Sequence, residues 1–436
     1  MANSRQRRLG ESLGTPVVRS LLVTPIYTAS SLTGGGQRTL HLYRALARLG
    51  SVDVVLVSEP VCRVLEQDLA PFAAEMPGAG QIVVHRSTEQ FLLSPAPGAR
   101  PIERLRHQAT RALHAMRPRS HFYSPSPSAL MGFEALLSAG AYDVIVGRYL
   151  QATALSGALS QARTPVIVDL DDLDEVVLRS RLASPTTSRI RRWALRWQIR
   201  QLTPLVARLR AEAQHLFTAT AADRATIGER GSSVLPNVPF LRAGQFAAPA
   251  PAANSRTLLF IGTYAHRVNR EGVRHFVAHC WPAIRRRDAD ARFRIVGSGG
   301  WEQARSEFAH IEGIDVVGAV DDLYQEYASA ALCVAPLFEG SGTKIKILEA
   351  MMYGRAVVAA AYSVRGLEEL LDGGVFTAAS DAEMIDTCVE LLASPERRAS
   401  AAARGRELVA ERYSEDSIFR VVERALVDCG VLASRP

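Results

Sequence analysis

The sequence predicts an α/β protein built from two doubly wound parallel-sheet domains. The chain has 436 residues, 47% hydrophobic and 22% charged, with no long biased segment, which is the length and composition of two globular domains. Short runs rich in Val, Ile and Leu alternate with helical stretches, the rhythm of βαβ units. That alternation is interrupted once, at AGQFAAPAPAANS (243–255), an Ala/Pro-rich stretch without apolar periodicity that reads as a linker.

Residues 1–16 are a polar tail, expected to be disordered, whose basic stretch has no apolar segment behind it; no secretory signal is expected. The first domain, 17–242, opens with a buried strand at 17–26. GGG (34–36) reads as a loop, and 37–50 as a helix stopped by Gly50. Strands follow at 52–60, 82–85, 142–148 and 164–172, then one long basic helix over 186–215, then LFTAT (216–220) and SVLPNVP (233–239). After the linker, the second domain (256–405) repeats the pattern. Its strands are TLLFIG (257–262), RFRIVGSGG (292–300), IDVVGAV (314–320), ALCVAPL (331–337) and AVVAAA (356–361), with helices over 271–286 and 343–354. Residues 395–430 read as two helices. In open parallel sheets ligands lie beyond the carboxyl ends of the strands, so two such domains place a site in the cleft between them.

Charge and cysteine usage narrow the function classes. The net charge of +7 is concentrated: 100–119 holds six Arg against Glu103, and 179–210 holds nine Arg and no acid. Such segments attract anionic surfaces, whether phospholipid, nucleic acid or phosphorylated substrate. Five scattered cysteines with no Cys-x-x-Cys pair give neither a zinc cluster nor a disulfide framework, which fits a reducing cytosol. No stretch of eighteen apolar residues suggests a membrane span. Of 51 basic residues only Lys344 and Lys346 are lysines, as if the site they share required ammonium groups rather than guanidinium.

Those lysines fall in the sharpest motif, APLFEGSGTKIKILEAMMYGRAVVAA (335–360), where a strand runs into a Gly-rich turn and directly into a helix. Gly340, Ser341 and Gly342 bring backbone N–H groups close to an anion, and the helix dipole adds about half a positive charge there. Cations at a helix N-terminus oppose that dipole, and an anion resolves the conflict. Glu349 places a carboxylate in an otherwise apolar stretch. It either pairs with Lys346 at i, i+3 or accepts hydrogen bonds from vicinal hydroxyls such as those of a ribose.

The segment resembles the donor motif of retaining glycosyltransferases of family 4, whose GT-B fold is two facing Rossmann-like domains. The resemblance extends to TGGGQRTLHLYRALARLG (33–50), VLPNVP (234–239), LLFIGTYAHRVNREGV (258–273), FRIVGSGG and VVGAVDDLYQEYASAALCVAPLFEGSGTKIKILEAMMYGRAVVAA, in the family's order. It implies a nucleotide-diphosphate sugar held mainly by the second domain. Glu349 matches the glutamate that binds the ribose, Gly340, Ser341, Gly342 and Thr343 the loop facing diphosphate and sugar, and Gly35 and Gly36 the loop that approaches the phosphates from the first domain. It also implies that the last helix, 406–436, crosses back onto the first domain.

Three departures qualify the match. Glu339 and Glu349 stand ten residues apart where the family has eight, with Ser341 at the eight-residue position. The family's Arg and Lys after the first strand of the second domain are missing, since Thr263 follows Gly262. Lys344 and Lys346, helped by Arg267, would then supply the charge, and Gly262 and Asn269 complete the donor set. A family histidine is replaced by the run Asp169, Asp171, Asp172, of which Asp171 is the candidate equivalent.

The mechanism implied has no protein nucleophile: the leaving diphosphate assists deprotonation of the attacking hydroxyl, and preorganised amides and ammonium groups stabilise the charge. Asp171 and Lys344 are the candidate catalytic groups; no metal site and no cofactor are expected, the nucleotide sugar being substrate. The acidic run reads as a strand end or helix cap. The helix SRIRRWALRWQIRQLTPLVARLR (188–210) either docks Trp193 and Trp197 on the core with its arginines solvated, or lays them on an anionic membrane. Alternatively the arginines hold an acidic acceptor, for which Arg148 is a further candidate. The reading is a cytoplasmic transferase, free or peripheral on the inner face of the cytoplasmic membrane, acting on a glycan, lipid-linked or small-molecule acceptor in surface polysaccharide biosynthesis. The alternatives are another GT-B nucleotide-sugar enzyme, such as an epimerase or inverting transferase, and a basic nucleic-acid-binding protein. No nucleic acid is expected, because the basic segments lack interleaved aromatics and repeats. A dehydrogenase is disfavoured because GSGG (297–300) never completes G-x-G-x-x-G.

Overall fold

The computed structural model describes residues 18–25, 34–58, 69–87, 100–103, 105–106, 109, 119–161, 163–183, 187–239, 249, 254–338, 343–371 and 373–433. The tail 1–16, most of the linker and part of the 100–119 segment lie outside the described residues, as do Glu339, Gly340, Ser341 and Gly342.

Two parallel sheets form. The first contains β1 (Val18–Pro25), β2 (Gly50–Ser58), β3 (Ile82–Arg86), β4 (Val144–Arg148), β5 (Val166–Asp169), β6 (His215–Thr218) and β7 (Ser232–Val234) in the order β3-β2-β1-β4-β5-β6-β7. The second contains β8 (Thr257–Ile261), β9 (Arg292–Val296), β10 (Ile314–Gly318), β11 (Leu332–Ala335), β12 (Val357–Ala360) and β13 (Val375–Ala378) in the order β10-β9-β8-β11-β12-β13. In each, strand order reverses once, at β1/β4 and at β8/β11. A crevice opens at such a switch point because the crossover helices leave to opposite faces. The central strands are buried nearly throughout, as in Leu21, Leu22, Val54, Leu56, Ile145 and Val146, which explains their continuous apolar runs.

The expected elements are present with shifted ends. The helix after β1 begins at Gly34, not after the glycines, and ends at Ala47; GGG is its first turn rather than a loop. The expected helix 271–286 is divided into an α-helix Arg267–His275, a π-helical turn Phe276–Cys280 and an α-helix Trp281–Arg287. Pro282 gives the reason: it has no N–H and its ring crowds the carbonyl four residues back, so the turn before it widens.

The last helix, Glu415–Asp428, lies on the first-domain helix Gly34–Ala47. Ile418, Val422, Ala425 and Leu426 form its buried stripe, spaced as a core-facing helix requires. Arg44 reaches Glu415 at 2.5 Å and Arg48 reaches Asp416 at 2.7 Å, with the Arg48 guanidinium 3.8 Å from the Phe419 ring centre. One apolar cluster therefore runs from β1 and β2 through this helix into the second domain, where Leu408 and Val409 join it.

Candidate functional site

The functional residues collect at the carboxyl ends of β4, β5, β8 and β11. On the second-domain side, Lys344 is the N-cap of the helix Ile345–Met352 and no side chain caps that end, so its first amides have no intrahelical acceptor. Strand exit from β11 is fixed by the buried Ser363. Its hydroxyl lies 2.7 Å from the Ala335 carbonyl and 3.1 Å from the Leu337 amide nitrogen.

Lys346 is the centre of this half-site. Its ammonium donates to Asn269 Oδ1 at 2.5 Å and sits 4.4 Å from the Phe260 ring centre; Asn269 Nδ2 donates in turn to the Thr263 carbonyl at 2.9 Å. A Cβ added at Gly262 would stand 2.8 Å from both Lys346 Nζ and Asn269 Nδ2, so a larger residue there would displace this pair. Burial pushes the Lys346 ammonium down to about 7, reinforced by Lys344 and opposed by Glu349. Burial lowers Lys344 as well, with Asp172 of the first domain working the other way and Arg365 adding to the lowering. Arg267 opens the neighbouring helix as its first residue.

Glu349 is partly buried and accepts a hydrogen bond from Tyr327 at 3.1 Å, while Tyr327 stacks on Tyr353 with ring centres 4.3 Å apart. Burial raises the Glu349 carboxyl, and the Tyr327 hydroxyl and Lys346 pull the other way. Lys346 hydrogen-bonds Asn269 rather than Glu349, so of the two readings of Glu349 the i, i+3 pair is reduced to a longer-range attraction.

On the first-domain side lies a buried charge cluster that the sequence did not reveal. Arg38 donates to both oxygens of Asp169, at 2.8 and 2.7 Å, and to the Leu235 carbonyl and Asn237 Oδ1. Arg148 donates to Asp169 at 2.6 Å, to Asp171 at 3.2 Å, to Thr39 Oγ1 and to the Gly35 carbonyl. Burial alone would raise the Asp169 carboxyl, but Arg38 and Arg148 hold it below its ordinary value.

Arg148 is corrected by this geometry. It is fully buried and engaged with four partners, so it has no path to an acceptor; it fixes the first turn of the helix Gly34–Ala47, including Gly35, against Asp169 and Asp171. Gly36 is buried in the same turn. Asp171 is also held, by Arg148 and by the Tyr149 hydroxyl at 3.1 Å. Asp171 at φ 56° and Tyr149 at φ 62° are two of the three non-glycine residues with positive φ among the described residues, conformations that cost about 1–3 kcal/mol each and cluster at functional sites.

The half-sites meet through Asn237. Its amide nitrogen donates to Thr343 Oγ1 in the second domain at 2.7 Å, while its oxygen accepts from Arg38 at 2.9 Å. Gly366, at φ 80°, packs so closely on Thr220 of the first domain that a Cβ would lie 2.4 Å from its methyl. Asn237, Arg38 and Tyr327 were missed because their roles depend on partners 199, 131 and 22 residues away; their only signal was that each lies in a segment resembling the family, VLPNVP for Asn237, 33–50 for Arg38 and VVGAVDDLYQEYASAALC for Tyr327.

Residues 33–240 match the model described as Glycosyl transferase 4-like domain, and residues 255–394 the one described as Glycosyl transferases group 1. The chain belongs to the GT-B glycosyltransferases of family 4. Among solved structures, this family 4 transferase is similar to sucrose-phosphate synthase from Thermosynechococcus elongatus, with 16% identity, a TM-score of 0.64, and 95% of this chain and 99% of that one covered. It is also similar to Anabaena HepE in complex with UDP and glucose, with 15% identity, a TM-score of 0.59, and 94% and 99% covered. Against TarM it spans 57% of the other chain, with 68% of its own covered, at 14% identity and a TM-score of 0.53. No curated protein matches the sequence significantly. These likenesses place the fold: the switch points at β1/β4 and β8/β11 of the transferase face one cleft, with Thr343 and Asn237 across it.

Proposed function

We propose that the protein transfers a sugar, with retention of anomeric configuration, from a nucleoside-diphosphate donor to a hydroxyl of a glycan, lipid-linked or small-molecule acceptor in surface polysaccharide assembly. The observation that carries this reading is the convergence of Gly262, Asn269 and Lys346 beside the uncapped helix start at Lys344. Together these supply backbone amides and two ammonium groups at one point, chemistry suited to a diphosphate. A diphosphate there accounts for two otherwise unfavourable features: lysines at a helix N-terminus, and an ammonium held down to about 7 until an anion restores its charge. Glu349, oriented by Tyr327, is placed to accept hydrogen bonds from the ribose hydroxyls. Arg267, Thr343 and Lys344 line the same side, with Glu339, Gly340, Ser341 and Gly342 of the connecting turn as further donor contacts.

In the mechanism we propose, the amides and Lys344 stabilise charge developing on the leaving phosphate, and that phosphate takes the proton of the attacking hydroxyl on the same face of the sugar; no bound metal is invoked. Asp171, held between Arg148 and Tyr149, orients the first-domain side of the cleft. An inverting transferase or epimerase would call for an unengaged acid or base there, which Asp171 is not.

The test is thermal melting of wild type and Lys346→Ala with UDP, GDP, ADP and dTDP. A ligand at a hundred times its dissociation constant adds about 2.7 kcal/mol of stability, so one nucleotide is expected to raise the melting temperature of wild type and not of the variant. Absence of any shift in wild type overturns the donor site. Retention is read from the anomeric configuration of the product by proton NMR.

A further inference from the structure

The helix Arg189–Ala211 resolves the two readings of its tryptophans. Its core-facing residues are Leu195, Ile199, Leu202, Val206 and Leu209. Ile190, Trp193 and Trp197 lie on the opposite side, 83%, 70% and 40% exposed. Of the two readings, docking of the tryptophans on the core is therefore overturned: successive residues turn by about 100°, and Trp193 falls roughly opposite Leu195 and Leu202.

Around this apolar strip stand Arg189, Arg196 and Arg200, all exposed and making no ion pair among the described residues. The helix contains no acidic residue along its 23 positions. A solvated helix face has no use for two bare indoles, whose amphipathic rings suit the boundary between water and acyl chains. Arginines flanking them without counter-charges suit anionic head groups.

The position of the strip in the fold is as informative as its composition. The chain leaves β5 at the carboxyl edge of the sheet, by Asp169 and Asp171, passes through a helix at Asp174–Ala183, and enters β6 at His215 from the amino edge. The first turns of the helix, which carry all three apolar residues, therefore lie toward the carboxyl edge, where the cleft opens. Ser180 of the preceding helix already meets Tyr362 of the second domain at 3.5 Å.

We infer that the outward face formed by Ile190, Trp193 and Trp197 with Arg189, Arg196 and Arg200 docks the protein on an anionic phospholipid surface, with the mouth of the cleft toward the bilayer. Because the opposite face is already packed in the core, docking needs no folding of the helix. The inference rests on the transferase reading only in its consequence, that the acceptor is carried on a lipid. Membrane docking itself stands independently of it.

The test is co-sedimentation of the full chain with phosphatidylcholine vesicles, without and with about 30% phosphatidylglycerol, for wild type, Trp193→Ser/Trp197→Ser and Arg196→Gln/Arg200→Gln. Wild type is expected to partition onto the anionic vesicles, with loss of about tenfold or more in either double variant and weakening by salt. Tryptophan emission is expected to shift to the blue on binding, since Trp281 and Trp301 are buried and only the helix tryptophans change environment. Unaltered melting curves in the variants establish that they fold, and a retained melting shift with nucleotide separates this result from failure of the donor site. No binding to anionic vesicles, or binding indifferent to both variants, overturns the inference. So does a tryptophan-dependent dimer, or a blue shift produced by single-stranded RNA and not by vesicles.

Discussion

Asn237 of the first domain and Thr343 of the second are joined across the cleft by a hydrogen bond of 2.7 Å. Because Asn237 is itself held by Arg38, which is clamped on Asp169, the donor-side Thr343 is tied by three steps to the most deeply buried charges of the first domain. The position of the helix start at Lys344 thus depends on the interior of the opposite domain.

Breaking that bond is expected to loosen the cleft without unfolding either domain. Asn237→Ala leaves Arg38 its contacts with Asp169 and the Leu235 carbonyl, and Thr343→Val removes the other partner at nearly constant volume. Each is expected to increase the radius of gyration in X-ray scattering. A double-mutant cycle on the melting free energy should give a coupling of about 0.5–1.5 kcal/mol. Strict additivity would mean the bond does not form in solution.

Lys346 gives nucleotide binding a pH dependence whose sign follows from its environment. With the folded group down to about 7 against an ordinary 10.5, the free protein holds Lys346 neutral above about pH 7, and binding a diphosphate recharges it. Nucleotide affinity is expected to be level below pH 7 and to fall as pH rises above it, with net proton uptake in calorimetry run in buffers of differing ionisation enthalpy. Stability of the ligand-free protein runs the other way: between about 7 and 10.5 the unfolded chain binds the extra proton, so this group's contribution to stability increases with pH. Lys346→Ala removes both trends; a wild-type affinity that is flat across this range would contradict the assignment.

Asp169 is the counter-charge of two enclosed guanidinium groups. Asp169→Asn leaves Arg38 and Arg148 only Asp171 as counter-charge, at 3.8 and 3.2 Å, and is expected to cost about 3–5 kcal/mol, measured by denaturant unfolding. Arg148→Met is expected to fall in the same class, lowering stability and displacing the turn at Gly35, rather than raising the acceptor KM selectively as an acceptor ligand would. Because the Asp169 carboxyl is held below its ordinary 3.8, its stabilising contribution is complete above that value and is lost as pH falls below it. Asp169→Asn should flatten that acid limb.

Local chemistry that repeats along the chain was legible in one dimension. Continuous apolar runs placed the strands within a few residues, and the composition break at 243–255 separated two sheets. The motif at 335–360 located the helix with Lys344, Lys346 and Glu349 at its mouth, since a Gly-rich turn before a helix is a property of neighbouring residues. Element ends were less legible: the glycines at 34–36 read as a loop because glycine is a poor helix former, yet Arg148, more than a hundred residues later, anchors the Gly35 carbonyl within the first turn.

Which side chains are structural and which face the cleft depended on contacts between segments far apart in the chain. Arg148 resembled an acceptor ligand in one dimension, but its charge is consumed by Asp169 and Asp171, brought beside it by the pairing of β4 with β5. The tryptophans of the basic helix could point inward or outward on sequence alone, because Leu195, Ile199 and Leu202 offer a second apolar face of equal pitch. The core took the aliphatic face and left the indoles outside. Lys346 came to rest on Asn269 and Phe260 rather than Glu349, since the space above Gly262 that admits its ammonium exists only once β8 and β11 lie side by side.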